Sequence, residues 1–134
     1  MLNQKTNSEI ATEFPDDAAV ISAVDDNSVF TSLATRLAEI RKLKGVMGYI
    51  LRSNKSAIID LTEQDKTIQY AVLSFQISES TSEMAKQFSL ADIESILVEG
   101  KSVKVLCMSI GENKIGVFME KTATHAWILK KILL

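Results

Sequence analysis

Asp92-Ile93-Glu94-Ser95-Ile96-Leu97-Val98-Glu99-Gly100-Lys101-Ser102-Val103-Lys104-Val105-Leu106-Cys107-Met108-Ser109-Ile110 is the stretch that decides how this chain reads. Two runs of strand-forming residues, Asp92–Glu99 and Ser102–Ile110, flank Gly100-Lys101, a connection short enough only for an antiparallel hairpin. In the second run Val103, Val105 and Cys107 alternate with Leu106, Met108 and Ile110. Both faces are apolar, so other elements are expected to cover this strand on both sides.

Working outward, Gly111-Glu112-Asn113 turns the chain into a further strand, Lys114–Glu120, and a closing helix is expected over Thr124–Leu134, burying some of Trp127, Ile128, Ile132 and Leu133. Upstream, Thr62-Glu63-Gln64-Asp65 reads as a helix start with Thr62 as N-cap. That helix is predicted to run to about Phe88, burying a stripe of Ile68, Val72 and Phe75 that Met84 and Phe88 resume. Ser78-Glu79-Ser80-Thr81-Ser82 predicts a weakened or kinked middle. Val46–Arg52 and Ser56–Leu61 flank Ser53-Asn54-Lys55 as a hairpin, with Gly48 marking a close approach by a packed helix. The first helix is predicted over Val29–Lys44. Asp26, Asn27 and Ser28 are N-cap types, Phe30, Leu33, Leu37 and Ile40 form the stripe, Arg41, Lys42 and Lys44 sit in the last turn, and Gly45 is the stop.

The order is therefore α-β-β-α-β-β-β-α. Hairpin-linked strands imply an α+β sandwich with a five-stranded antiparallel sheet between helices, not a doubly wound parallel sheet. A chain of 134 residues with 46% hydrophobic content is one domain's worth, with enough apolar material for a core.

The net charge is −2, which gives no sign of a nucleic-acid partner. Its distribution is uneven. Residues 1–28 carry six acids (Glu9, Glu13, Asp16, Asp17, Asp25, Asp26) against Lys5, and the rest of the chain is mildly basic. The division expected is an acidic N-terminal tail, 1–28, and a folded domain, 29–134. Such a tail is ordinarily solvated, with folding back onto a basic face as the alternative. Within it, Ala18–Val24 suits a short helix or an added edge strand.

Cys107 is the only cysteine, so no intrachain disulfide is available and a buried core thiol is expected. No apolar run approaches a membrane span, and no basic region followed by an apolar stretch marks a secretory signal, so a cytoplasmic setting is expected.

Catalytic chemistry is hard to find. His125, the one histidine, has no His or Cys at ligand spacing and reads as a surface or capping residue. There is no Gly-x-Ser-x-Gly elbow, no phosphate-binding Gly-x-x-x-x-Gly-Lys-Ser/Thr loop and no Gly-x-Gly-x-x-Gly. Glu79 with Glu83, and Asp92 with Glu94, read as solvated acidic pairs. No catalytic residue, metal or cofactor is expected, and the chain reads as a non-enzyme.

Three blocks resemble the roadblock family, the dynein light chain roadblock type. They are Gly45-Val46-Met47-Gly48-Tyr49-Ile50-Leu51 after an amphipathic helix, Asp92–Cys107, and Ile115-Gly116-Val117-Phe118-Met119-Glu120 with His125-Ala126-Trp127-Ile128. The likeness covers residues from about Phe30 onward, and its single-domain form is similar to prokaryotic members. It departs at the first hairpin, where the family often has Asp and Gly in the turn.

The resemblance implies a profilin-like sandwich, with the long second helix on one face and the other two helices on the opposite face. It also implies a dimer, in which the strand Asp92–Glu99 pairs with its twin across a two-fold axis and the long helices pack together. The interface would hold Ile93, Ser95, Ile96, Leu97, Val98, Val72 and Phe75. An edge strand this apolar is an aggregation hazard unless paired or covered, and isologous pairing removes that hazard.

In function, the resemblance implies a homodimer, or a dimer with a paralogous roadblock protein, that regulates or scaffolds a small Ras-like GTPase. Arg36, Arg41 and Arg52 are candidates for partner docking, an arginine finger being one route to GTP hydrolysis. Two other readings are an adaptor with no GTPase partner and a small-molecule sensor of profilin-like fold. A sensor pocket would need polar side chains converging on an apolar cavity.

Overall fold

Helix α1 (Val24–Ile40) leads into the antiparallel hairpin of β1 (Val46–Arg52) and β2 (Ala57–Leu61). A single 3-10 turn, Gln64–Lys66, opens the long α2 (Thr67–Gln87), and β3 (Ser95–Glu99), β4 (Val103–Ile110), β5 (Asn113–Glu120) and α3 (His125–Leu133) follow. This computed structural model describes residues 24–89 and 95–134. Ile93, the acids Asp92 and Glu94, and the tail residues 1–23, with most of the Ala18–Val24 run, lie outside the described residues.

The sheet is antiparallel throughout, in the order β2-β1-β5-β4-β3. Helices α1 and α3 cover one face, where Leu33, Leu37 and Ile40 of α1 and Ile128 and Ile132 of α3 close over Leu51, Leu106, Val117 and Met119. Helix α2 covers the other face, over Ile50, Leu61, Val105, Cys107 and Phe118. Strand β4 is thus apolar on both sides because both of its sides are covered. Val105 and Cys107 point toward α2, and Leu106 and Met108 point toward α1 and α3.

Several boundaries differ from the sequence reading. Helix α1 begins at Val24, so Asp26, Asn27 and Ser28 lie inside it and are not its N-cap. It ends at Ile40, with no basic residue in its last turn. Arg41 leaves the helix because it has better partners than the helix dipole. Its Nε meets Asp60 Oδ1 at 3.3 Å, one terminal nitrogen donates to the Val46 carbonyl at 3.3 Å, and the other donates to Thr62 Oγ1 at 2.8 Å. That clamp also explains why Thr62 is not a helix cap: its hydroxyl donates to the Met47 carbonyl at 2.8 Å, and α2 starts only at Thr67.

Gly48 does mark a close approach, but by strand β2 and not by a helix. A Cβ there would lie 2.3 Å from the Asp60 carbonyl oxygen, beside the register shift between Val46 and Gly48 on β5. The β1–β2 turn manages without Asp-Gly because Ser53 Oγ accepts the backbone N–H groups of Lys55 and Ser56 at 3.2 and 3.1 Å.

Helix α2 is continuous through Ser78–Ser82, where the residue types predict a weakened middle. Thr81 Oγ1 donates to the Ile77 carbonyl at 2.7 Å, so its hydroxyl is satisfied on the helix itself.

Candidate protein-docking surface

Helix α2 carries apolar residues on more than one side, and the sheet selects which of them it buries. The Tyr70 ring stacks on Phe118 at 4.4 Å between centroids and 5° between planes. One turn on, Ser74 sits over Gly116, where a Cβ would come within 3.2 Å of the serine Cβ. Tyr70, Ala71 and Ile77 pack on the core, and Ser74 is the one buried residue of the helix.

This seating turns the predicted stripe outward. Ile68 is 77% exposed, Val72 49% and Phe75 48%, and Met84 and Phe88 are exposed as well. The expectation that they are core residues of the lone chain is therefore wrong. Residues 70, 74 and 77 and residues 68, 72 and 75 both satisfy helical spacing, and only the flat partner surface at Phe118 and Gly116 distinguishes them. An apolar helix face of this size in water is a recognised mark of an interaction surface.

Strand β3 forms an edge of the sheet among the described residues. It is hydrogen-bonded to β4 on one side, with Ile96 opposite Cys107 and Val98 opposite Val105, and is last in the sheet order. Ile96 and Val98 therefore share the sheet face that α2 covers. Val98 is exposed, and Ser95, Ile96 and Leu97 are half-buried. Of the residues assigned to a dimer contact, Ser95 to Val98 thus lie on this edge, and Val72 and Phe75 on the outward side of α2.

The three arginines are dispersed. Arg36 donates to the Ile132 carbonyl at 2.8 Å and ties α1 to the last turn of α3. Arg41 is held in the clamp already described. Arg52 alone belongs to the α2 face, its guanidinium 5.1 Å from the centre of the Phe75 ring. Sequence reasoning missed Lys114, which pairs directly with Arg52 across β1 and β5. The available signal was its place two residues before Gly116 and four before Phe118, on the same face of the strand.

The titratable groups elsewhere are structural. Burial pushes the Cys107 thiol up to about 11, which keeps it protonated and unreactive at neutral pH. Burial first, then the nearby Asp60 carboxylate, pushes Tyr49 up to about 12, and Arg41 opposes the shift. His125 is half-buried at the start of α3, with Nδ1 3.3 Å from the Nζ of Lys104. Lys104 is itself buried, which its place among apolar β4 residues did not signal. Between α1 and α3 an open groove of about 420 Å³ is lined by Val29, Leu33, Arg36, Ile110 and Leu133 among others. No described helix is long and apolar enough to cross a membrane.

The Roadblock/LC7 domain model matches residues 33–117, more than half of the chain. No curated protein matches it in sequence. Among solved structures, it is similar to a Roadblock/LC7 domain from Streptomyces avermitilis at 14% identity and a TM-score of 0.60, over 84% of this chain and 90% of that one. Myxococcus xanthus MglB aligns at 16% identity and a TM-score of 0.63, over 77% and 87%. The gliding protein MglB of Thermus thermophilus aligns at 14% and 0.61, over 87% and 89%. At these identities the likeness establishes a shared fold.

Proposed function

This chain belongs to the Roadblock/LC7 domain family, and on that premise we propose that it is a dimeric, non-enzymatic platform that regulates or scaffolds a small Ras-like GTPase. One observation carries the reading. The apolar residues of α2 that a lone domain would bury face outward, on the same side of the sheet as the Ile96 and Val98 side chains of an unpaired edge strand. Among the described residues nothing covers either the strand edge or the helix face, which fits isologous pairing, in which each copy supplies the cover for the other. The resemblance to MglB proteins supports a GTPase as the partner. The part of α2 that this pairing leaves uncovered, doubled in the dimer, is the surface offered to it.

Arg36 and Arg41 each hold internal carbonyl groups, so Arg52 is the arginine of the three best placed for docking. The working form is a homodimer or a dimer with a paralogue, in the cytoplasm.

Light scattering on the full chain and on the Ile96→Lys, Val98→Lys double variant tests this. The wild type is expected at twice the chain mass and the variant as a folded monomer. A wild-type chain that stays monomeric across the micromolar range removes the interface. Retention of nucleotide-loaded Ras-like GTPases by the wild type, and not by the variant, then tests the partner class.

A further inference from the structure

Arg52 and Lys114 stand directly opposite each other on β1 and β5, on the face that α2 covers. Like charges in that relation repel. Among the described residues neither has a carboxylate within salt-bridge distance. The guanidinium lies over the Phe75 ring, and the lysine Nζ reaches only the Ser109 hydroxyl, at 3.3 Å. Glu112, the acid in the β4–β5 turn, is engaged by Asn54 at 2.8 Å.

The two cations border a notch in the seam between α2 and the sheet, which Ser74, Ser78 and Gly116 also line. Its inner space is about 10 Å³, room for about one water-sized group. Ser74 already donates to the Ala71 carbonyl at 3.0 Å, but the Ser78 hydroxyl has no such partner among the described residues. Gly116 makes the notch possible, since any side chain there would fill it.

We infer that this notch is a carboxylate-binding site, and that its ligand is an acidic side chain on the surface of a docked protein. Arg52, Lys114 and Ser78 all line it, and between them they carry a planar guanidinium fork, an ammonium and a hydroxyl, the donor set that suits a carboxylate. The inner space admits a single oxygen atom of the ligand. The exposed Phe75 ring, under the Arg52 guanidinium, adjoins the site, so the acid arrives beside an apolar side chain. The identity of the bearer as a docked protein rests on the platform reading above; the carboxylate site itself does not.

The test is a titration of the isotope-labelled full chain, followed by backbone amide shifts at constant ionic strength. The probes are sodium acetate, a blocked leucine-glutamate-leucine tripeptide, its glutamine counterpart, and inorganic phosphate. Acetate and the glutamate peptide should give saturable shifts at Ser74, Ser78 and Lys114, the peptide binding more tightly than acetate. In Arg52→Gln, Lys114→Gln both affinities should fall at least tenfold, with the mass by light scattering unchanged. Equal shifts in wild type and variant, or none in the wild type, overturn the site. A glutamine peptide that binds as well as the glutamate peptide overturns the carboxylate assignment, as does phosphate binding tenfold more tightly than acetate. A chain that binds the acidic peptide yet stays monomeric keeps the site and removes the platform.

Discussion

Helices α1 and α2 carry the same kind of apolar stripe, and the fold uses them in opposite ways. In α1, Leu33, Leu37 and Ile40 are at most 3% exposed, locked over the sheet with α3 alongside. In α2, Ile68, Val72 and Phe75 face water. The difference lies in what each helix packs on. Helix α1 meets large side chains from the sheet and from α3. Helix α2 meets a flat lane made by Gly116 and Phe118, where Tyr70 and Ser74 fit better than a second aliphatic ridge. A stripe of helical period shows that one side of a helix avoids water. It does not show whether the cover comes from the same chain.

The sharpest way to break this comparison is to truncate both stripes. Leu37→Ala should cost about 2–5 kcal/mol in urea unfolding, the range for a fully buried leucine. In the monomeric Ile96→Lys, Val98→Lys background, Phe75→Ala should cost about 1 kcal/mol or less, the worth of a partly exposed ring and its contact with Arg52. Equal costs would mean that the α2 stripe is core after all.

Alkaline pH compares the two sheet faces through Tyr49 on one and Cys107 on the other. Tyr49, on the α1 side, holds its proton up to about 12, and Cys107, on the α2 side, up to about 11. In both the protonated form is neutral and the folded state keeps it longer than the unfolded chain does. The stability they contribute is therefore complete below their unfolded values, near 10 for tyrosine and 9 for cysteine, and is lost as pH rises toward the folded ones. Tyr49→Phe should remove a loss on the order of 2–3 kcal/mol between pH 10 and 12. Unfolding curves at stepped pH read this directly, and an unchanged alkaline slope would show that Tyr49 does not carry it.

The smallest expected effect sharpens the account of how α2 is seated. In Gly116→Ala the new methyl group presses on Ser74 at 3.2 Å. A shift of α2 by a few tenths of an ångström should cost about 1 kcal/mol, measured by thermal unfolding. No change would mean that α2 is not held close to β5.

Much of the architecture was legible beforehand. The strand boundaries of β1 coincide with the reading, and those of β2, β4 and β5 differ by one residue, because β-branched runs between turn residues leave few alternatives. Helix ends were less legible. Cap-type residues at Asp26–Ser28 and Thr62 compete with tertiary partners, and at Thr62 the Met47 carbonyl and the Arg41 guanidinium prevail. The docking surface was legible in part. Arg52, Val72, Phe75 and the β3 residues were singled out, but Lys114 was not: its strand face was readable from Gly116 and Phe118, but its pairing with Arg52, 62 positions away, was not.

By itself the sequence determined the order of elements, the antiparallel hairpins and the double-sided burial of β4. All of these follow from spacings within one segment, which the periods of helix and strand impose on the chain. Tertiary structure alone decided which side of α2 is buried, that Arg41 clamps β1 to β2 while Arg36 holds α3, and that two cations meet at the seam beneath α2. Each of those depends on shape complementarity between segments far apart in sequence, which no spacing within a segment records.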